Sequence, residues 1–508
     1  MQTLRPRLYP VLGWAAFALV TVYTLALSVF GFLNAGWKPH RVETAWFLFS
    51  FAFLVGLVGC LRLSTRSKDS TFHAPNGRAR LGLACVMAVA IVVYSHALAV
   101  GFLSDDFVLL ELGELGAGWR QGTSQFVRVL PVALLQAIDI VGPTWNGTVA
   151  HAVNLALHLT NGLLIFHIAR RLHQHATASV VAAALFLLFP ASPEAVVWVS
   201  GLQDVLMATA SLAFVLVSLD ARHPVVLVGC FAVGLLSKET AVAMPLLAAA
   251  AVWARGTKTP PAVLRTLAAC ASIAVAFGVW RLQSGGGTFA TPPTRYLAKE
   301  ILAGAFGTLA VPWMTAELQQ AALLGMVMAT LVALGAWAVL WTGEPAAVPR
   351  VAALGIGWVI LSVAPVYSLF FVSDTLQGSR YLYLPSAGWA LAIASASALV
   401  DSPIARVFRW VVGAVVVSWA IGTYGHVLLW TQASAERDRI IAAAATARDA
   451  DCSAVTFVRA TDNVNGAYVF RNGLESALRR AGVSADDDVA EPTTCVFSWT
   501  GDAFVRTR

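Results

Sequence analysis

Charged residues are scarce in this sequence. Asp, Glu, Lys and Arg make up 12% of its 508 residues, whereas a soluble domain carries roughly a quarter charged residues. Hydrophobic residues reach 58%, and many of them form apolar runs long enough to cross a bilayer. This composition excludes an ordinary soluble protein. It predicts an all-α, polytopic membrane protein with about 12 to 14 membrane segments, by the length of the apolar runs.

Lys-rich runs, and patches that mix basic with aromatic residues, are also lacking. A nucleic-acid partner is therefore not expected, although the formal net charge is +7. The basic residues instead gather between apolar runs, as they do in the cytoplasmic loops of membrane proteins. We place the most basic loop, 62–80, in the cytoplasm, so the apolar run 81–100 leads outward. We expect a multi-pass protein of a bacterial inner (plasma) membrane, with its candidate site on the periplasmic face.

A signal-peptide cleavage site is lacking as well. The first apolar run, 8–33, is too long for a signal peptide and is interpreted as a retained helix. We divide the chain into 1–80, with two N-terminal helices and the basic loop, then 81–430, a transmembrane module with a long outer loop at 104–148, and finally 431–508. Apolar runs at 321–341 and 410–430 are among the predicted spans. The last part is predicted to be a small soluble α/β tail on the extracytoplasmic side, with helices at 434–448 and 468–480.

Cysteines are few, and they fall into two groups. Four of the six lie in apolar runs, where a thiol is usually a small space-filling side chain. Cys452 and Cys495 lie in the tail, beside predicted strands at 454–459 and 494–499. If the tail is outside the cytoplasm, neighbouring strands would bring these two cysteines close enough to form a disulfide.

Two adjacent carboxylates, Asp105 and Asp106, follow the apolar run 81–100. We expect them at the membrane surface, beside a low-dielectric wall, which is a favourable place for a catalytic base. The alternative is that they only cap the helical segment that follows, because Ser and Asp favour helix N-termini. The pair alone leaves both interpretations open.

Other polar residues lie on or beside the apolar runs. Spacings of three and four place His151, Asn154, His158 and Asn161 on one helical face. We interpret His158 and Asn161 as partners in interhelical hydrogen bonds, and His151, nearest the outer surface, as a site candidate. Glu194 lies among aromatic and apolar residues, where burial would raise its pKa unless a cation pairs with it.

Lys238 and Glu239 interrupt the apolar stretch 224–254. Charges so close to membrane depth are costly unless they pair with each other or serve a function, and both interpretations stay open. The predicted inner and outer loops are consistent with the number of membrane crossings only if one short apolar piece does not cross and is re-entrant or interfacial. That piece is either one half of 224–254 or the segment 301–314.

Six short motifs occur between about 101 and 400. In chain order they are Asp105-Asp106, Arg128-Val-Leu-Pro131, His151-x-x-Asn154-x-x-x-His158, Pro190-x-x-x-Glu194-Ala-Val, Ser237-Lys-Glu-Thr240 and Gly378-Ser-Arg380-Tyr-Leu-Tyr-Leu-Pro385. In this order they resemble the multi-spanning glycosyltransferases of the GT-C superfamily, in particular the protein O-mannosyltransferase and transmembrane-tetratricopeptide (TMTC-like) branches.

The resemblance implies a GT-C-like fold and a sugar donor carried on a polyprenyl phosphate. Asp105 or Asp106 would be the base that deprotonates an acceptor hydroxyl, and Glu194 a second acid that holds the acceptor or a cation. The cations that would neutralise the departing donor phosphate are Arg128, Lys238 and Arg380. The residues that would bind substrate are His151, Asn154, Asp204, Glu239 and Tyr381.

The chain also departs from these branches. Two extra spans precede the aspartate loop, no tetratricopeptide array follows the last span, and Arg128 is followed by Val rather than Pro. The acceptor therefore stays open among protein, lipid and glycan. No metal is assigned, and Mg²⁺ or Mn²⁺ is left open as a cofactor because hard cations want several oxygen ligands. Two other functions are considered, namely a transporter or flippase for lipid-linked or amphiphilic substrates, and an inactive GT-C scaffold.

Overall fold

The part of the chain described by the computed structural model is mostly helical, as predicted. The described residues are 77–114, 128–141, 146–172, 175–220, 223–256, 259–283, 295–310, 312, 347–397, 403–447, 454–458, 460–483, 494–501 and 503–506. The two predicted N-terminal helices and the predicted span at 321–341 lie outside these residues.

Helices make up most of the fold. They are α1 (Gly77–Tyr94), α2 (Asp105–Glu114), α3 (Val129–Val141), α4 (Asn146–Arg171), α5 (Ala176–Leu187), α6 (Pro193–Val196), α7 (Leu202–Asp220), α8 (Pro224–Ser237), α9 (Met244–Arg255), α10 (Pro261–Gln283), α11 (Arg295–Ala310), α12 (Ala347–Val363), α13 (Tyr383–Ser397), α14 (Pro403–Ala447) and α15 (Leu474–Arg480). Short 3₁₀ turns at Ser95–Ala99, Val199–Gly201, Glu239–Ala243, Ala364–Val366 and Ser379–Leu382 connect several of them.

Several of these helices have the length and composition of membrane spans. Four segments are long and apolar enough to cross a bilayer, namely Gly77–Ala99, Gly147–Arg171, Val199–Asp220 and Pro261–Gln283. Apolar side chains are exposed on the bundle, among them Val225 at 84% and Val275 at 67%. Exposure of this kind is what lipid-facing helices show. The chain is therefore a membrane protein by this measure, and the total of 12 to 14 segments stays a prediction.

Contacts between helix termini define the two ends of the bundle. At one end Arg171 of α4 pairs with Asp220 of α7 at 2.7 Å, and Arg255 of α9 donates to the Leu219 carbonyl oxygen. At the other end, the start of α7 meets the junction of α8 and α9, where Lys238 pairs with a carboxylate of α7. We call this second end, which also carries Asp105 and Asp106, the aspartate end.

A break at Lys238 divides the apolar stretch 224–254, as the sequence predicts. Lys238 is extended, with φ −163° and ψ 141°, and the chain resumes as the 3₁₀ turn Glu239–Ala243 and helix α9. Both α8 and α9 run between the two ends of the bundle, so they form a hairpin whose tip lies at the aspartate end. Which short piece is re-entrant or interfacial, one half of 224–254 or the segment 301–314, stays a prediction.

The last long helix, α14, continues past the predicted membrane boundary. We expected a span at 410–430 and a separate tail helix at 434–448, but Pro403–Ala447 is one helix of 45 residues. The change from apolar to polar sequence does not end a helix by itself. After Gly425 the segment holds no Gly or Pro and is rich in Ala, so nothing interrupts it.

The remaining tail contains two small sheets. Strands β1 (Ala454–Val458) and β4 (Thr494–Trp499) lie close to the predicted strands and are neighbours; they run parallel, with Val455 opposite Cys495. Strand β5 (Phe504–Arg506) is antiparallel to β4, and a hairpin joins β2 (Asn463–Val464) to β3 (Ala467–Tyr468). Helix α15 begins later than the predicted 468–480, because Tyr468 lies in β3. Cys452 lies outside the described residues, so its disulfide with Cys495 stays a prediction.

Helices α12 and α13 pack closely through glycine, which gives a stability test. A Cβ atom at Gly355 would overlap the Gly388 carbonyl oxygen and the Ala392 methyl group, whereas one at Gly357 would meet nothing within 4 Å. We predict that Gly355→Ala lowers the melting temperature of the protein in detergent, because overpacking costs about 1–3 kcal/mol. Gly357→Ala is the control and should leave it unchanged or raise it, since Ala favours helix by roughly 1 kcal/mol. Equal melting temperatures for Gly355→Ala and wild type would contradict this packing.

Candidate functional site

Asp106 joins the aspartate loop to the start of α7. Its Oδ1 accepts hydrogen bonds from the backbone N–H of Ser200 at 2.7 Å and from the Ser200 hydroxyl at 2.5 Å. Its Oδ2 accepts from the Leu103 N–H at 2.8 Å, and the residue is 0% exposed. Every carboxylate oxygen is therefore occupied by the protein, which gives Asp106 the geometry of a structural anchor.

Asp105 has a different environment. It is half-buried, and its Oδ1 accepts a hydrogen bond of 2.6 Å from the side-chain amide of Asn472 in the tail. The preceding residue, Ser104, has φ +50°, in the left-handed region that a residue with a Cβ seldom adopts. Its backbone N–H donates to the Val469 carbonyl oxygen at 2.9 Å. Of the two aspartates, Asp105 is the one that a substrate hydroxyl could reach.

Glu194 is the anchor of a second polar group at the aspartate end. It is 1% exposed and receives a hydrogen bond of 2.9 Å from the Arg380 guanidinium. Its other oxygen accepts from the Ser379 hydroxyl and the Arg380 N–H, both at 3.2 Å. The Tyr468 hydroxyl, from the tail, lies 3.4 Å from the first oxygen. Burial raises the pKa of Glu194, and the Arg380 charge opposes that rise.

Arg380 lies between aromatic rings. Its guanidinium carbon is 4.8 Å from the centre of the Trp198 ring and 5.2 Å from that of Tyr381. The Lys238 amine is 5.1 Å from the centre of the same Tyr381 ring. Cations within about 6 Å of a ring centre are attracted to its face. Tyr381 therefore sits between two of the cations that the sequence analysis selected.

Two further ion pairs complete this group. Lys238 pairs with Asp204, and Arg281 of α10 pairs with Glu239 at 3.3 Å with both side chains 0% exposed. Arg128 lies within electrostatic range of Asp204, Glu239 and Arg380. One oxygen of Asp204, Oδ2, is buried without a hydrogen-bond partner in the described part of the chain.

Residues far apart in the sequence thus converge on one cluster, which we call the charged cluster. It consists of Arg128, Glu194, Asp204, Lys238, Glu239, Arg281, Arg380 and Tyr381. All except Arg281 were selected from the sequence. The Lys238–Glu239 segment does not form its own ion pair, since each residue pairs with a different helix.

The polar face of α4 lies beneath this cluster. Asn154 donates to the Trp198 carbonyl oxygen at 3.1 Å, and Asn161 and His158 both contact the Tyr383 hydroxyl, at 3.0 and 2.8 Å. These are contacts between helices. His151 is 1% exposed and lies beside the backbone of Gly101, and neither ring nitrogen has a hydrogen-bond partner among the described residues.

The tail contributes contacts to the site that the sequence does not indicate. Tyr468 contacts Glu194, Asn472 contacts Asp105, and Arg471 donates to the Tyr468 hydroxyl at 3.2 Å. Additional contacts hold the tail in place, including the pair of Arg479 with Glu111 at 2.6 Å. The partners that join the tail to Glu194, Asp105 and Glu111 lie about 270 to 370 positions apart, so no local pattern could have indicated them.

The aspartate end offers an accessible carboxylate, Asp105, and a group of buried cations with aromatic rings. In the described ranges, no group of three or more His, Cys, Asp or Glu side chains is placed to hold a metal ion. The chemistry these residues can provide is proton transfer at Asp105 and stabilisation of negative charge by the cations. Neither task needs a redox-active side chain.

Comparison of the chain with protein-family models, curated proteins and solved structures gives no match. The assignment of function therefore rests on the site itself.

The burial of Asp106 predicts a pH dependence of stability. Burial raises its pKa to about 7, against the opposing effect of its hydrogen bonds. The pKa of Asp in an unfolded chain is about 3.9. Between these values the native state holds a proton that the unfolded chain has released, so native stability falls as the pH rises through this window.

We therefore predict that the melting temperature in detergent decreases from about pH 4.5 to about pH 7, and that Asp106→Asn removes this component because Asn does not titrate. Asp374→Asn, at an exposed carboxylate, is the control and should keep the wild-type slope. A slope that persists in Asp106→Asn would show that another group is responsible.

Proposed function

We propose that this protein is a membrane glycosyltransferase with a GT-C-like fold. It would transfer a sugar from a polyprenyl-phosphate donor to a hydroxyl of a protein, lipid or glycan acceptor. The observation that carries the proposal is the convergence of Arg128, Lys238 and Arg380 at the bundle end that bears Asp105. We place this end on the periplasmic face of a bacterial inner membrane, in keeping with the basic loop at 62–80.

Asp105 is the proposed base. The acceptor oxygen attacks the anomeric carbon of the sugar while Asp105 takes the hydroxyl proton, and the bond from that carbon to the phosphate oxygen breaks. The polyprenyl phosphate leaves with the bonding electron pair, so its charge becomes more negative by one. This single displacement inverts the anomeric centre and requires one carboxylate near the acceptor.

The charged cluster is suited to the negative charge that develops on the leaving group. Fixed cations in a site with little water stabilise such charge without having to reorganise. Lys238 and Arg281 are held by Asp204 and Glu239, so their positions are set before a substrate arrives. The rings of Trp198 and Tyr381 surround Arg380, and Tyr381, which is half-buried whereas Trp198 is 2% exposed, is the ring suited to packing against a sugar.

Transport is the second function considered, and the position of the charges favours it less. Transporters place broken helices and charges near the middle of the membrane. Here the break at Lys238 lies at the end of the bundle, where its partners are in the first turn of α7 (Asp204) and the last turn of α10 (Arg281). Charges at the end of the bundle are better suited to chemistry at the membrane surface than to transport through its middle.

The test is transfer of radiolabelled sugar from polyprenyl-phosphate donors in membranes that contain wild type or Asp105→Asn, at matched expression. We predict that Asp105→Asn lowers transfer by about 10²- to 10⁴-fold, the usual contribution of a general base. The control is Asp374→Asn, which changes an exposed carboxylate in the loop before Ser379 and should keep wild-type transfer. Equal turnover in Asp105→Asn and wild type would reject Asp105 as the base. If no donor is turned over by wild type, the transporter and scaffold interpretations gain.

A further inference from the structure

Arg471 is an exposed cation at the rim of the charged cluster. It follows β3 in the tail, and its guanidinium carbon lies 5.4 Å from the centre of the Tyr468 ring and 5.8 Å from that of Phe371. It donates one hydrogen bond, of 3.2 Å, to the Tyr468 hydroxyl. Two rings and a phenol oxygen therefore hold the guanidinium in place and leave most of its N–H groups available.

Three of the other cations of the site differ in one respect. Lys238, Arg281 and Arg380 each lie against a carboxylate, which offsets their charge before any ligand binds. Arg471 forms no ion pair within the described ranges, and its hydrogen-bond acceptor is an uncharged phenol. An anion that approaches from outside therefore meets Arg471 as an uncompensated positive charge.

Arg471 is also fixed close to the proposed base. The next residue, Asn472, donates its side-chain amide to Asp105, and the Asn472 N–H donates to the Ser104 hydroxyl at 3.2 Å. Because consecutive Cα atoms lie about 3.8 Å apart, the Arg471 side chain begins next to Asn472, the residue that contacts Asp105. The Tyr468 hydroxyl in turn connects Arg471 to Glu194. Arg471 is therefore linked to Asp105 through the adjacent Asn472 and to the charged cluster through Tyr468.

We propose that Arg471 is a substrate-binding residue that recognises the phosphate group of an amphiphilic phosphate ester. A guanidinium offers a planar fork of N–H donors that matches the oxygens of a phosphate. The identity of the ester as a polyprenyl phosphate rests on the proposed function. Arg471 itself lies beyond the region, 101–400, in which the chain resembles glycosyltransferases. The tail thus contributes to ligand binding and is not only attached to the membrane module.

The test is equilibrium binding to the full-length protein in detergent, with farnesyl phosphate and inorganic phosphate as separate probes. We predict that Arg471→Gln raises the Kd for farnesyl phosphate by about tenfold or more, because charge-assisted hydrogen bonds are lost. Arg471→Lys keeps the charge but not the fork, so its Kd should be intermediate. Inorganic phosphate that binds with the same Arg471 dependence identifies the phosphate alone as the ligand group. Binding of farnesyl phosphate alone shows that the lipid chain is also needed.

Arg479→Gln is the matched control. It removes another tail arginine, whose partner Glu111 helps to hold the tail in place, but which has no contact with Tyr468 or Asp105 among those described. Its Kd should equal that of wild type. An equal loss of binding in Arg479→Gln and Arg471→Gln would show that release of the tail is responsible, and would overturn the inference. An unchanged Kd in Arg471→Gln, or a wild type that binds neither probe, would overturn it as well.

The inference and the proposed function can fail separately. Phosphate binding that depends on Arg471, in a protein that transfers no sugar, leaves the inference standing and rejects glycosyl transfer. Sugar transfer by Arg471→Gln with the wild-type KM for the donor leaves glycosyl transfer standing and rejects the inference.

Discussion

A charge at the edge of an apolar bundle loses most of its hydration, and the aspartate end of this protein is built around that constraint. Glu194 shows it most fully, because a buried carboxylate is tolerated only when donors surround it. Its donors come from the turn Ser379–Leu382 and from the tail residue Tyr468. One desolvated carboxylate therefore brings three separate parts of the chain together.

The same constraint explains why the cations of the site lie on different helices. Lys238 is at the tip of the α8–α9 hairpin, and its partner Asp204 is in the first turn of α7. Arg281 is in the last turn of α10 and pairs with Glu239 on that tip. Each pair fixes the height of one helix relative to another, since a shift along the axis would leave a buried charge without a partner. The pairs thus set the register of the bundle and position the site.

Much of the helical architecture could be predicted from apolar runs, because helix length and hydrophobicity are local properties. The break at Lys238 and the residues of the charged cluster could also be selected, since a charge inside an apolar run is visible in the sequence. The separate environments of Asp105 and Asp106 could not. They depend on Ser200 and Asn472, which lie 94 and 367 positions away. The continuity of α14 was missed because a change in polarity was taken as a boundary, although the backbone has no reason to break there.

The contacts of the tail also bear on the order in which the protein is made. Tyr468, Arg471 and Asn472 leave the ribosome after Glu194 and every described helix of the bundle, including α14. Until these residues exist, Glu194 lacks one of its donors and Asp105 lacks its amide partner. A nascent chain whose helices are already inserted would therefore hold an incomplete site. Synthesis of the tail would be the step that completes it, so the candidate site would form only after the helices that carry its other residues.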